Sequence, residues 1–171
     1  MKKILLLFAL AFSLSVSAQH LTIPGTDVQY RLNSEDWRYV RTFQHPNGGD
    51  VYLYAYTGHV VVDAEGDTVL PFLRIHVIKN YDGDIYGLAY ERYEAQPYQS
   101  LDEYSKGPGL PSSGGLGYIG AYTNPSDHKD YQFYMTYFSS KRTFVEFRLE
   151  TTRDTFEEME FEFKDILNSF K

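Results

Sequence analysis

The strongest periodic signal in the chain lies at its end. Phe156, Met159, Phe163, Ile166, Leu167 and Phe170 recur at spacings of three and four, which places them on one stripe of an amphipathic helix. Glu157, Glu158, Glu160, Glu162, Lys164 and Asp165 fall on or beside the other face. Asp154 followed by Glu157 reads as a capping box that opens this helix. Burying six such apolar side chains is worth roughly 1.5–3 kcal/mol each before entropy is charged. A stripe of that size needs a surface to lie against.

The chain before it supplies one, because its rhythm is two. Val28-Gln29-Tyr30-Arg31-Leu32 alternates apolar and polar, and Trp37, the only tryptophan, opens a strand that runs to about Phe43. The turn formers His45-Pro46-Asn47-Gly48-Gly49-Asp50 join it to Val51–Thr57 as a hairpin. Val60-Val61-Val62 runs into the turn at 63–67, and Phe72–Lys79 reads as an inner strand. Three dense strands follow later, Tyr118–Thr123, Tyr131–Phe138 and Thr143–Thr151. In the last, Val145, Phe147 and Leu149 face one way, and Glu146, Arg148 and Glu150 the other.

Two stretches break the alternation. From Asp84 to about Gln96, Ile85, Leu88, Ala89, Arg92 and Tyr93 fit a helical face, and Pro97 ends it. Ser100-Leu101-Asp102-Glu103 has the form of a second capping box and predicts a turn or two of helix before Gly107. Lys106 to Gly120 then holds six of the thirteen glycines and two of the seven prolines, so it reads as a long mobile loop. The expected fold is α+β. A mostly antiparallel sheet keeps one face in solvent, and its other face is covered by the C-terminal helix and the helix near residue 90.

The first residues set the compartment. Lys2 and Lys3 precede the apolar run Ile4–Leu14 and the small-residue pattern Val16-Ser17-Ala18. This reads as a bacterial secretory signal peptide, residues 1–18, leaving residues 19–171 as one domain. The run is short for a membrane span, and nothing later approaches the roughly 18 apolar residues a span needs, so the mature chain is not expected to be membrane-embedded. The chain has no cysteine, hence no disulfide and no lipid-anchor cysteine. The expected localisation is secreted or periplasmic. Loss of the two lysines takes the formal net charge from −7 to −9, which disfavours nucleic acid and anionic membranes as partners.

Candidate chemistry is sparse. Gly115, Gly117 and Gly120 satisfy a dinucleotide-type Gly-x-Gly-x-x-Gly, but the following Ala121-Tyr122-Thr123 reads as strand where the phosphate-binding motif needs a helix N-terminus. Asn80, Asp82, Asp84 and Glu91 match the first, third, fifth and twelfth positions of a calcium loop. Its sixth position, where the sharp turn wants glycine, is Ile85. A solvated acidic turn ahead of a helix is the simpler reading, with calcium on another geometry left open. The five histidines show no helical i, i+4 pair, so no metal site is expected. Ser126-Asp127-His128 contains the residue types of a hydrolase triad, but sequence neighbours cannot form one, and no nucleophile elbow exists. No catalytic residue and no cofactor are predicted.

Sixteen tyrosines and twelve phenylalanines remain to be explained. Tyr52, Tyr54 and Tyr56 share one face of a strand, with Tyr131, Phe133 and Tyr137 a second stripe. Facing outward, Tyr52, Tyr54 and Tyr56 would form a stacking platform for sugars or apolar ligands; beneath a helix they are core, the commoner role at strand period.

The order of parts resembles the PsbP/Mog1/DcrB-like family of small α+β domains. The residues that carry the resemblance are the lead Leu21-Thr22-Ile23-Pro24-Gly25, Trp37 opening an early strand, the strand Phe72–Lys79 with its following helical segment, and the sheet Tyr118–Thr151. The closing Phe163-Lys164-Asp165-Ile166-Leu167-Asn168-Ser169-Phe170 matches best. The resemblance implies a helix–sheet–helix sandwich that works by binding or assembly, with no shared catalytic residues. The chain departs from it in its tyrosine richness and its Gly-Pro-Ser loop. The expected function is an exported, non-enzymatic domain that binds a protein or envelope component. The alternative is a small-ligand or glycan binder using the tyrosine face and that loop.

Overall fold

The computed structural model describes residues 18–104 and 115–171. The signal-peptide reading of residues 1–18 therefore falls almost wholly outside the described residues, as does most of the glycine-rich loop, 106–114.

In chain order, β1 (Ala18–Thr22) pairs with β2 (Gln29–Asn33) across a turn that Gly25 allows by adopting a φ of +81°. Then follow β3 (Trp37–Gln44), β4 (Asp50–Tyr56), the short pair β5 (Val61–Val62) and β6 (Thr68–Val69), and β7 (Phe72–Lys79). Helix α1 (Ile85–Ala95) leads to β8 (Ser100–Tyr104), β9 (Leu116–Thr123), β10 (Asp130–Ser140) and β11 (Thr143–Thr152), and α2 (Phe156–Leu167) closes the chain. Seven strands form one antiparallel sheet in the order β3-β4-β7-β11-β10-β9-β8.

Strand alternation divides the apolar residues into two cores. On one face, Leu73, Ile75, Val77, Val145, Phe147 and Leu149 meet Phe156, Met159, Phe163, Ile166 and Leu167 of α2, and β2 adds Tyr30 and Leu32. On the other, Phe133, Met135 and Tyr137 of β10 meet Leu88 and Ala89 of α1. The two helices thus cover opposite faces. The sandwich implied by the family resemblance is the arrangement formed, and the expectation of a solvated face is corrected. The reason lies in α1: Leu88 and Ala89 are its only buried residues, and they take a separate floor from the stripe of α2.

Helix α2 forms where its periodicity places it, but not with the cap expected. The Asp154 carboxylate accepts a hydrogen bond from the Ala64 amide of the β5–β6 turn instead of an α2 amide. The N-cap residue is Thr155, which makes no side-chain cap bond; its hydroxyl joins Thr151 and Thr152 in a buried cluster. The far end is tied to β2, where Arg31 forks onto Asp165 at 2.7 and 2.8 Å and Gln29 exchanges backbone hydrogen bonds with Lys171. Trp37 donates from Nε1 to Glu162 at 3.0 Å.

The second predicted cap is also overturned. Ser100–Tyr104 is the edge strand β8, paired with β9 from Ser100↔Ala121 to Tyr104↔Gly117. A capping box is worth about 1 kcal/mol, and a ladder of backbone bonds with Leu101 packed on the core outweighs it. Gly120 makes this approach possible, because a Cβ there would lie 2.6 Å from the Phe133 ring and 2.7 Å from the Ser100 carbonyl oxygen. The last part of the predicted loop, from Leu116, is likewise strand.

Candidate functional site

Tyr52, Tyr54 and Tyr56 lie on the α2 side of the sheet. Tyr56 is buried against Trp37, ring centroids 5.4 Å apart, and its hydroxyl meets His59 Nδ1 at 2.9 Å. Tyr52 and Tyr54 are half-buried against the same core, Tyr54 edge-on to Tyr39 at 5.6 Å. The rings of Tyr54 and Tyr56 are thus engaged within the protein.

The other predicted sites resolve into structure. Asp84 caps α1 by accepting from the Gly87 amide at 2.8 Å, and Glu91 accepts from the Tyr81 hydroxyl at 2.8 Å, so two carboxylates of the calcium-like spacing are already engaged. No group of three His, Asp or Glu side chains placed to hold a metal occurs among the described residues. Asp127 accepts from Tyr131 and from the Lys129 amide within a polar turn, not from His128. Gly117 and Gly120 are inside β9.

Of the second aromatic stripe, Phe133 and Tyr137 lie on the α1 side of the sheet; the exposed tyrosines that α1 sets over them were not anticipated from the sequence. Tyr86, Ala89, Tyr90 and Tyr93 form a stripe along α1 at i, i+3, i+4 and i+7. Leu88 and Arg92 point into the sheet on a neighbouring stripe. The tyrosine stripe faces a groove of about 320 Å³ completed by Tyr98, Tyr118 and Tyr137, with Leu101 and Met135 as apolar lining. Six tyrosines thus surround one concavity at the lower end of the roughly 300–1,000 Å³ typical of ligand sites. Tyr86, Tyr90 and Tyr93 are 67, 65 and 51% exposed, while Tyr137 at the floor is 1% exposed. The Tyr137 hydroxyl has no hydrogen-bond partner among the described residues. Burial pushes its phenol well above the usual range, and pushes that of Tyr98 up to about 12 against the opposing pull of Arg148.

Beside the groove floor runs a buried ionic layer. Register sets Glu146 opposite Tyr137 and Arg148 opposite Met135, so the polar face of β11 borders the two groove residues of β10 directly. Across β7, Glu146 faces His76 and Arg148 faces Arg74. Arg148 is 1% exposed, its guanidinium 4.6 Å from the Tyr122 ring and 4.3 Å from that of Phe133, and its Nη2 lies 2.8 Å from Glu150. Glu146 lies 3.6 Å from both Arg74 and Arg92, long for a hydrogen bond. Arg92 Nε and Arg148 Nε are buried with no hydrogen-bond partner among the described residues. His76 Nε2 donates to the Gly48 carbonyl at 2.7 Å, leaving Nδ1 to accept from Arg92 at 3.5 Å. Burial holds His76 below its ordinary pKa, with the Gly48 bond opposing, and so keeps it neutral at pH 7. His45 stacks on it at 4.3 Å and is lowered by burial and by Arg92.

A larger cleft of about 440 Å³, lined among others by Glu65, Lys129, Arg153 and Asp154, offers less chemistry. Lys129 is already paired with Asp63 and Asp67, and Asp154 with the Ala64 amide.

The spacing of Tyr86, Tyr90 and Tyr93 was visible in the sequence. Which side of α1 is outward depends on how Leu88 and Ala89 dock, and that is a tertiary fact.

No family model matches the sequence, and no curated protein matches it. Among solved structures, LpqN of Mycobacterium tuberculosis, described as involved in cell envelope biogenesis, is similar with a TM-score of 0.49 and 12% sequence identity, over 91% of this chain and 90% of that one.

Proposed function

We propose that this protein is an exported, non-enzymatic binding domain of the bacterial cell envelope, related to the PsbP/Mog1/DcrB-like domains, and that it recognises an envelope component through the tyrosine groove between α1 and β8–β9. One observation carries the reading: six tyrosines converge on a single groove, three of them more than half exposed on one helix stripe. Aromatic surface left in water on a folded domain marks an interaction site, and phenols combine a stacking face with a hydrogen-bonding tip. The groups around the groove bind and stack; none is a nucleophile paired with a base. The N-terminal residues 1–18 support export, and the helix–sheet–helix layering supports the family relationship. We assign binding to the groove rather than to Tyr52, Tyr54 and Tyr56, which pack on the α2 core.

The test is expression of the full chain with its N-terminal segment, recovery from the periplasm or medium, and binding to isolated envelope fractions. Tyr90→Ala combined with Tyr93→Ala is expected to weaken retention by at least about tenfold, since truncating an aromatic hot spot costs on the order of 2 kcal/mol. The melting temperature should stay close to that of the parent, because both rings are exposed. Equal retention of parent and variant would refute the groove reading.

A further inference from the structure

The groove has a second property besides its aromatic walls, which is an electrostatic one. Next to the groove, though not in its lining, lies the buried ionic layer: Arg148 with Glu146 and Glu150 on β11 beside the floor strand β10, Arg74 one strand further on β7, and Arg92 on the sheet-facing side of α1. With His76 and His45 neutral, the layer carries a net charge of +1 within a chain whose formal net charge is −7. Its donors are under-used: Arg92 Nε, Arg148 Nε and the Tyr137 hydroxyl are buried with no hydrogen-bond partner among the described residues, although Arg92 Nε lies 3.6 Å from Glu146. Unsatisfied buried donors are costly, on the order of 1–3 kcal/mol each, so each calls for an explanation. The opposite end of the groove has the opposite sign, since Glu103 pairs with Tyr118 across β8 and β9.

We infer that the groove binds an acidic sugar, a pyranose ring carrying a carboxylate or phosphate group. Its ring stacks on the exposed tyrosines of α1, and its anionic group lies toward Tyr137, Arg92 and Arg148. This rests on the groove being the binding site and adds the class of its ligand. Two features argue for this occupant together. A wholly apolar ligand would leave the buried donors unsatisfied, and a bare anion would leave Tyr86, Tyr90 and Tyr93 uncovered. A pyranose presents an apolar C–H face to a phenol ring and hydroxyls to the groove rim. Polarity fixes its direction: the acid group is drawn to the arginine end and repelled by Glu103 at the other.

Calorimetric titration of the exported full chain with four probes tests this: trigalacturonate, glucose 6-phosphate, maltotriose and inorganic phosphate. The two acidic sugars are expected to bind at least about tenfold more tightly than maltotriose, and the tighter of them identifies the carboxylate or the phosphate as the natural acid. Inorganic phosphate alone should bind more weakly than glucose 6-phosphate, because it cannot stack. Tyr137→Phe removes one oxygen that has no hydrogen-bond partner among the described residues. It should therefore keep or raise the melting temperature while weakening the acidic sugars by about ten- to a hundredfold, the worth of one hydrogen bond to a charged group. Arg92→Gln should reduce the preference for acid over neutral sugar, and its melting curve reports whether it remains folded. Equal binding of acidic and neutral sugars would overturn the acid assignment and leave the groove reading standing. Binding of none of the sugars would overturn the inference as a whole, while the Tyr90 and Tyr93 variants on envelope fractions decide the groove reading independently. Inorganic phosphate binding as tightly as glucose 6-phosphate would overturn the stacking component.

Discussion

Arg148→Met is the most informative single perturbation of the ionic layer. Arg148 is almost wholly buried, holds Glu150 at 2.8 Å, and lies between the Tyr122 and Phe133 rings. Methionine keeps much of the side-chain length between the rings but leaves Glu150, itself 8% exposed, with Arg74 and the Tyr122 hydroxyl at 3.1 Å as its remaining support. Removing one partner of a buried pair costs roughly 3–5 kcal/mol, because the other charge is left uncompensated. The two ring contacts add about 0.5–2 kcal/mol each, part of which the thioether recovers. An overall loss of about 3–5 kcal/mol at pH 7 is expected, measured by urea unfolding with the single, buried Trp37 as the fluorophore.

The pH dependence has a definite sign. Burial works to raise the Glu150 pKa, and Arg148 and Arg74 more than reverse this, so in the parent protein it lies below the ordinary 4.5. A depressed folded pKa contributes stability that is present above 4.5 and lost as pH falls through the folded value. Without Arg148, burial dominates and the folded pKa rises above 4.5, so the carboxylate opposes folding at neutral pH and ceases to do so once protonated. The gap between parent and variant is therefore widest near pH 7, begins to narrow as pH falls through the variant's raised pKa above 4.5, and goes on narrowing as pH falls through the parent's depressed one. Adding Glu150→Leu to Arg148→Met should recover most of the loss at pH 7. A cost under about 1 kcal/mol, a pH-independent cost, or simple additivity of the two substitutions would refute the account.

Two further outcomes follow from the fold. Phe163→Ala should cost about 3–5 kcal/mol in urea unfolding, because Phe163 is wholly buried between Trp37 and Phe156, with centroids at 6.3 and 5.9 Å; a near-neutral result would mean that α2 is turned the wrong way. Asp84→Ala removes the α1 cap and should cost about 1 kcal/mol, and millimolar calcium should leave the melting temperature of the parent unchanged, whereas a calcium-dependent rise would revive a cation site at Asp82 and Asp84.

The elements with an unbroken period were legible in the sequence, and those that depend on a neighbour were not. The stripe of α2 and the alternation of β7 and β11 record which side of each element carries its apolar residues, and burial of apolar area dominates their free energy, so their identity and apolar facing could be read locally. The two capping boxes could not be trusted, because a cap worth about 1 kcal/mol yields to a paired strand at Ser100–Tyr104 and to the Ala64 amide at Asp154.

The polar face of β11 shows the limit most clearly. Glu146, Arg148 and Glu150 alternate as solvent-facing residues do, yet all three are buried, because α1 and the Gln96–Tyr98 segment close over them with Arg92 and Gln96 as partners. A charge pattern along one strand records polarity but not the opposite charges that another element brings, and only the docking of α1 supplies those. The same docking turned Tyr86, Tyr90 and Tyr93 outward over β9 and β10 and made a groove from residues some fifty positions apart. Periodicity and composition determined the sheet, the closing helix and the expectation of export. Where α1 lies, and with it the candidate site, was decided by tertiary packing, since the choice of face is a sum of contacts that no single segment contains.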